Sequence, residues 1–141
     1  MLGKMNDNQI INVLQSTMIG RLVTYANKKL YCVPITYAYQ DGYIYCNSKE
    51  GLKVELMGEN AQVCFEVDDI QQMNDWRCVI LWGEYESLEG PEHSKAMKII
   101  NDRIGPYTTG ETVVPYIRQE VPHAFRIKIK EQSGRYEKPG P

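Results

Sequence analysis

The usual zinc ligands, cysteine and histidine, number only four and two in 141 residues, and they are scattered. Cys32, Cys46, Cys64 and Cys78 form no CxxC pair, and neither His93 nor His123 stands at zinc-ligand spacing from them. Reduced thiols packed as small apolar side chains are therefore expected rather than a metal site. No hydrophobic run approaches the roughly 20 residues needed to span a bilayer. The opening MLGKMNDNQIINVLQ also lacks an apolar stretch behind a basic one, so a cytoplasmic protein with no membrane partner is expected. A large excess of either charge is missing too: 16 basic residues stand against 18 acidic ones, a net charge of −2. Such a chain has no field to gather nucleic acid, although a local patch could still hold a phosphate. Low-complexity tracts and internal repeats are absent, and the length suits one domain over residues 1–141.

What is present reads mostly as strand. NDNQIINVLQSTMIG places Ile10, Ile11, Val13 and Leu14 on one helical face, with Asn6 or Asp7 as N-cap and Gly20 beyond the end. RLVTYA reads as a strand, NKK as a turn, and LYCVPITYAY as a longer strand interrupted by Pro34. A proline has no N–H for a ladder, so Pro34 marks an edge, a bulge or a place where something approaches the backbone. Asp41-Gly42 signals a hairpin, which predicts that strands 29–39 and 43–47 pair antiparallel. AQVCFEV sets Val63, Phe65 and Val67 on one face, and WRCVILWGEYESL reads as a long strand covered on both sides. PEHSKAMKIINDRIG predicts a helix stopped by Gly105-Pro106, with His93 as a solvated first-turn residue. YTTGETVVPYIRQEVP shows no sustained period and reads as an irregular connection that could cover a site. HAFRIKIKEQSGRY alternates apolar with basic residues, and EKPGP should be loose. Six strands in hairpin order with short helices favour a mainly β fold, a small antiparallel barrel.

One segment breaks the apolar rhythm. In YIYCNSKEGLKVELM a strand gives way near Cys46 to small polar residues, and the pattern predicts a helix starting near Ser48 with Asn47 as cap and Glu50 closing a loose capping box. Uncapped N–H groups, the Asn47 and Ser48 side chains and the Lys53 ammonium could converge there on a phosphate, with Gly51 permitting close approach. Equally, Asn47 could simply cap, Gly51 simply turn and Lys53 stand solvated.

LYCVPITYAYQDGYIYCNSKEGLKVELMGENAQVCFEVDD, then WRCVILWGEYESL and a helix, resembles the FMN-binding split-barrel family related to pyridoxamine 5'-phosphate oxidase. Within it, the nitroimidazole-resistance-type branch is the most similar. The resemblance runs from about Ile10 to Gly134 and is carried by G-x-K, N-x-x-V-C-F-E-V and the strand ending in Trp82-Gly83. It implies a six-stranded antiparallel split barrel and a homodimer with two FMN sites in the interface. The backbone of Val33, Pro34, Ile35 and Thr36 would lie along the isoalloxazine ring. Cys46, Asn47 and Ser48 would border the ribityl chain and phosphate, and Lys53 would pair with the phosphate. Arg77 and Cys78 fall where the oxidases carry an Arg-Gln pair whose glutamine reaches FMN across the dimer. Cys78 replaces that glutamine, and Cys46 replaces a histidine usual in the resistance branch. No Arg-x-His element is evident in SGRYEKPGP, so oxidation of pyridoxamine phosphate is not expected. Trp76, Trp82 and Tyr107 are aromatic candidates for the pocket wall.

Two functions remain in view. One is an FMN-dependent oxidoreductase acting on a small conjugated or nitro-type acceptor, with no side chain required as acid or base. The other is a non-catalytic module that stores or senses flavin, haem or another planar cofactor. With no GxGxxG fingerprint, NADH or NADPH would dock transiently or a partner reductase would supply electrons. Thiol chemistry by Cys46 with His93 or His123 is a weaker third reading.

Overall fold

Alternation of apolar and polar side chains turns most of the chain into strand. The strands are β1 (Leu2–Lys4), β2 (Ile19–Ala26), β3 (Lys29–Thr36), β4 (Ala38–Gln40), β5 (Tyr43–Ser48), β6 (Gln62–Gln72), β7 (Asp75–Leu88) and β8 (His123–Glu137). Between them stand the helices α1 (Asp7–Ser16), α2 (Leu52–Glu59) and α3 (Pro91–Ile104), the last followed by a 3-10 turn at Gly105–Tyr107. The structure, a computed structural model, describes residues 1–107 and 122–140. The expected irregular connection therefore lies, over 108–121, outside the described residues. No helix among the described residues is long and apolar enough to cross a membrane.

The strands form one antiparallel sheet in the order β3-β2-β6-β7-β8-β5-β4, with β1 added to β8. Its two edge strands, β3 and β4, are separated in sequence by Tyr37 alone, so the sheet must coil until its edges approach. The result is a barrel left open between β3 and β4: the split barrel expected, with six strands of six residues or more and the short β1 and β4 besides. Tyr37 fixes the junction. It is fully buried, donates to the Leu14 carbonyl at 2.8 Å and shares a 2.5 Å hydrogen bond with Thr17. Burial pushes its hydroxyl up to about 12, so it stays protonated and able to donate.

Two of the hairpin turns, β2–β3 and β4–β5, follow from local chemistry. Asn27 and Lys28 have φ of 54° and 63°, and Asp41 and Gly42 have 49° and 86°, the positive values that primed turns require. The barrel interior holds Leu22, Val63, Phe65, Val67, Val79 and Leu81, and α1 closes one end with Ile10, Val13 and Leu14. Asn6 caps α1, accepting from the Gln9 N–H at 2.9 Å, while Gln9 Oε1 accepts from the Asn6 N–H at 2.8 Å. A second cluster seats Ala96 and Ile100 of α3 on Ala38, Tyr45 and Ala124.

Four expectations are corrected. The long strand over 29–39 is two strands: β3 pairs with β2, and only β4 pairs with β5, because the chain crosses from one sheet edge to the other at Tyr37. Gly20 does not end α1 but lies in β2, where a Cβ would stand 2.3 Å from Phe65 Cε1. Within one chain β7 is covered fully on one face only, and Trp82 on the other is 40% exposed. The last residues are less loose than expected, since β8 runs through Glu137 and β1 pairs with it.

Gly83 sits where β7 and β8 shift register, and a Cβ there would stand 2.4 Å from the backbone oxygen of Lys128. Backbone cannot yield as a side-chain tip can. Gly83→Ala is expected to cost about 1–3 kcal/mol and to lower the melting temperature by roughly 4–12 °C in a thermal scan. An unchanged transition would show that the bulge relaxes freely.

Candidate functional site

The polar interruption forms a helix start, one turn later than the sequence suggested. Asn47 and Ser48 still belong to β5, paired with Ala124 and His123 of β8, and α2 begins only at Leu52. Asn47 is therefore no cap: its side-chain amide donates to Met97 Sδ at 3.5 Å, and the Asn47–Glu50 capping box does not form. Gly51 takes the N-cap position with no side-chain cap. The first intrahelical bond runs from the Glu55 N–H to the Gly51 carbonyl at 3.0 Å, so the N–H groups of the first turn have no helical acceptor.

That start is open. A Cβ on Gly51 would meet nothing within 4 Å, and its φ of 175° is ordinary extended backbone. Glycine is itself an accepted N-cap residue, and among the described residues its missing side chain leaves open space in front of the helix start. Lys53, half-buried in the same turn, enters no ion pair among the described residues. Ser48 is buried, and its hydroxyl donates to the Lys49 carbonyl at 3.0 Å. Free N–H groups and an ammonium with no ion pair among the described residues give this helix start the chemistry of a cradle that an anion could occupy.

Cys46 points the other way. Its side chain is fully buried in the core beside Ile35, and burial pushes its thiol far above the usual range, with Lys53 only partly offsetting this. Only its backbone can border a ligand, and the thiol cannot serve as a nucleophile with His93 or His123. Both histidines are engaged elsewhere: His93 Nε2 lies 2.8 Å from the Pro122 carbonyl oxygen, and His123 Nε2 lies 2.6 Å from the Tyr85 hydroxyl. The expectation of a solvated His93 is thus corrected. In a thiol titration of the folded protein Cys46 is expected to stay unmodified until denaturant is added, and its modification in the native state would contradict the burial.

The remaining candidates lie elsewhere. Val33 is half-buried and Ile35 buried, whereas Pro34 and Thr36 are exposed on the outer face of β3. As an edge strand, β3 leaves one side of its backbone unpaired, which tolerates Pro34 and leaves groups free for a planar ligand. Pro34 faces Arg21 of β2, which faces Glu66 of β6. Around that pair Arg21 reaches Asp68 at 3.2 Å, and the Cys78 thiol donates to Glu66 Oε2 at 3.3 Å. Burial, then the Glu66 carboxyl, push the Cys78 thiol up to about 12, while burial and the adjoining Asp68 carboxyl raise Glu66.

Arg77 and Cys78, adjacent on a strand, point to opposite faces. Arg77 pairs with Asp69 at 2.5 Å, and this bond holds the Asp69 carboxyl below its usual range. Cys78 is ten residues along β7 from Leu88, whose neighbour on β8 is Ala124, itself paired with Asn47. That is roughly 30 Å of strand. One chain therefore does not bring Cys78 to the α2 cradle.

The sheet face carrying Pro34 and Cys78 is apolar over much of its area. Across it run Cys32, Val23, Cys64 and Trp82 in register, beside Tyr25 (49% exposed) paired with Leu30 (73% exposed). Trp76, by contrast, donates to Glu137 Oε1 at 3.1 Å at the far end of β7, and Tyr107 is exposed.

Comparison with known proteins places this geometry. The family model described as pyridoxamine 5'-phosphate oxidase matches residues 6–136. An uncharacterised protein of Rhizobium meliloti is 28% identical over 94 residues, 64% of this chain and 62% of its own. The chain thus spans less than two thirds of that relative. Among solved structures, an FAD-binding protein from Mesorhizobium loti superposes with a TM-score of 0.84 at 26% identity, covering 99% of this chain and 98% of its own. A proposed 5-nitroimidazole antibiotic resistance protein from Bacteroides thetaiotaomicron has a TM-score of 0.75 at 17% identity, with 96% and 87% covered, a likeness of fold.

Proposed function

The chain belongs to the pyridoxamine 5'-phosphate oxidase family, and from that premise we propose that it is a flavin-dependent oxidoreductase working as a homodimer. The observation that carries this reading is the α2 start: uncapped N–H groups, Lys53 without an ion pair among the described residues, and a glycine whose missing side chain leaves room for a phosphate. FMN is the cofactor proposed for it. Asn47, Ser48 and the backbone of Cys46 border its ribityl and phosphate end, and the open edge over Val33–Thr36 lies along its ring.

Each site draws on both copies. The apolar face around Trp82, Tyr25 and Leu30 is the kind of surface that subunits cover, and a second copy is its proposed occupant. Within one chain Cys78 shares the sheet face of Pro34 with β2 and β6 between them, and the partner's copy of this strand is proposed to meet the flavin. Arg77, turned to the other face and paired with Asp69, is proposed at most as a support for the β6–β7 hairpin. Four free thiols fit a reducing compartment, and the cytoplasm is the proposed setting.

When bound, the flavin supplies the hydride and electron chemistry. The chain's part is to hold the phosphate with Lys53 and helix N–H groups, to order the ring along β3, and to keep the other ring face open to a small conjugated or nitro-type acceptor. Stopped-flow reduction of the reconstituted protein tests catalysis. Reduction by NADH or NADPH, followed by reoxidation on adding a nitroaromatic or quinone, is the expected course. No reduction by either nucleotide, together with no turnover of any acceptor, would favour a binding or sensing module.

A further inference from the structure

Beside the α2 cradle lies an open cleft of about 540 Å³ bounded by Glu50, Leu88, Glu89, His93, Pro122 and His123. Its volume falls within the range of small-molecule sites. The FMN reading leaves it empty of purpose, yet it adjoins the cradle: His123 is the register partner of Ser48, and Glu50 follows Ser48 by two residues.

The two imidazoles in its wall are oriented, not free. The Pro122 carbonyl can only accept, so His93 Nε2 carries the proton of that 2.8 Å bond. His123 is tied to Tyr85 and lies nearly parallel to Phe125, with centroids 5.9 Å apart and an interplanar angle of 25°. Burial lowers its pKa and favours the uncharged ring. Leu88 and Pro122 add apolar surface, and Glu50 and Glu89 are acceptors only.

Flat rings and apolar carbons suit a heteroaromatic base, and carboxylates suit its amino group and the hydroxyls of a ribose. The same carboxylates repel phosphate, which must then lie outside the cleft, on the side of Lys53 and the α2 N–H groups. We propose that this cleft is a subsite for the adenosine half of a dinucleotide whose phosphates rest on the α2 cradle. Adenosine reaches such a place in two ways, as part of FAD or as part of a nicotinamide dinucleotide acting as reductant. The first source rests on the flavin reading above, and the second does not.

Calorimetric titration of the full chain, stripped of any cofactor, with FMN, FAD, NADH and ADP tests this. For the first source FAD binds about tenfold or more tightly than FMN, and Glu89→Ala and His93→Ala each remove that advantage while FMN affinity stays as it was. For the second, FAD and FMN bind alike, while NADH and ADP bind and both variants weaken them by about tenfold. Circular dichroism of each variant establishes that the fold persists. Equal affinity for FAD and FMN together with no binding of NADH or ADP would overturn the subsite. Binding of ADP without binding of any flavin would instead overturn the flavin reading and leave the subsite standing.

Discussion

Replacing Lys53 with alanine is expected to weaken flavin binding roughly 10- to 150-fold, the loss of one charge-assisted contact to phosphate. The fold should be unaffected, because Lys53 is only half-buried and enters no ion pair among the described residues that its loss would leave unbalanced. Lys53→Arg should recover part of the affinity, since the guanidinium keeps the charge with a different donor geometry. Fluorescence titration on dialysed protein measures all three. Unchanged affinity in Lys53→Ala would remove the ammonium from the phosphate site and leave only helix N–H groups to hold it.

Trp82→Arg is expected to act on assembly. Trp82 faces outward in a row with Cys64, Val23 and Cys32, so a charged side chain there leaves the barrel interior intact. Aromatic anchors of this kind typically contribute 2 kcal/mol or more when an interface covers them, so the dimer dissociation constant should rise about 30-fold or more. Flavin should be lost in parallel, because the proposed site draws on both copies. Light scattering on a dilution series, read beside flavin content, follows both effects. A stable dimer in the variant would place the subunit contact on another face, and a monomer that keeps its flavin would confine the site to one chain.

Much of this was legible from residues. Period-two alternation marked β6 through Val63, Phe65 and Val67, all buried as expected, and Asp41-Gly42 gave its hairpin because few residues accept positive φ. Asn6 announced the start of α1. The division of 29–39 into two strands on opposite sheet edges was not legible. Nothing local in LYCVPITYAY distinguishes a strand that continues from one that changes partner, and the long-range anchoring of Tyr37 to Leu14 and Thr17 decides it. The start of α2 was misplaced for a related reason: Asn47 and Ser48 have cap chemistry, but pairing with Ala124 and His123 draws them into β5.

For the candidate site, the cluster Asn47, Ser48, Gly51 and Lys53 was visible as polar residues between apolar runs. That Cys46 is sealed in the core could be anticipated from the inward neighbours of its strand. The partnership of His93 and His123 with Pro122 and Tyr85 had no sequence signal, because it joins the first turn of α3 to β7 and the start of β8.

The visible absorption spectrum of the purified protein, with mass analysis of whatever chromophore acid releases, tests the central claim most directly. Flavin bands, with one released flavin per chain, are the predicted result. A Soret band, or a colourless protein that stays so after FMN and FAD are added and dialysed, would contradict it.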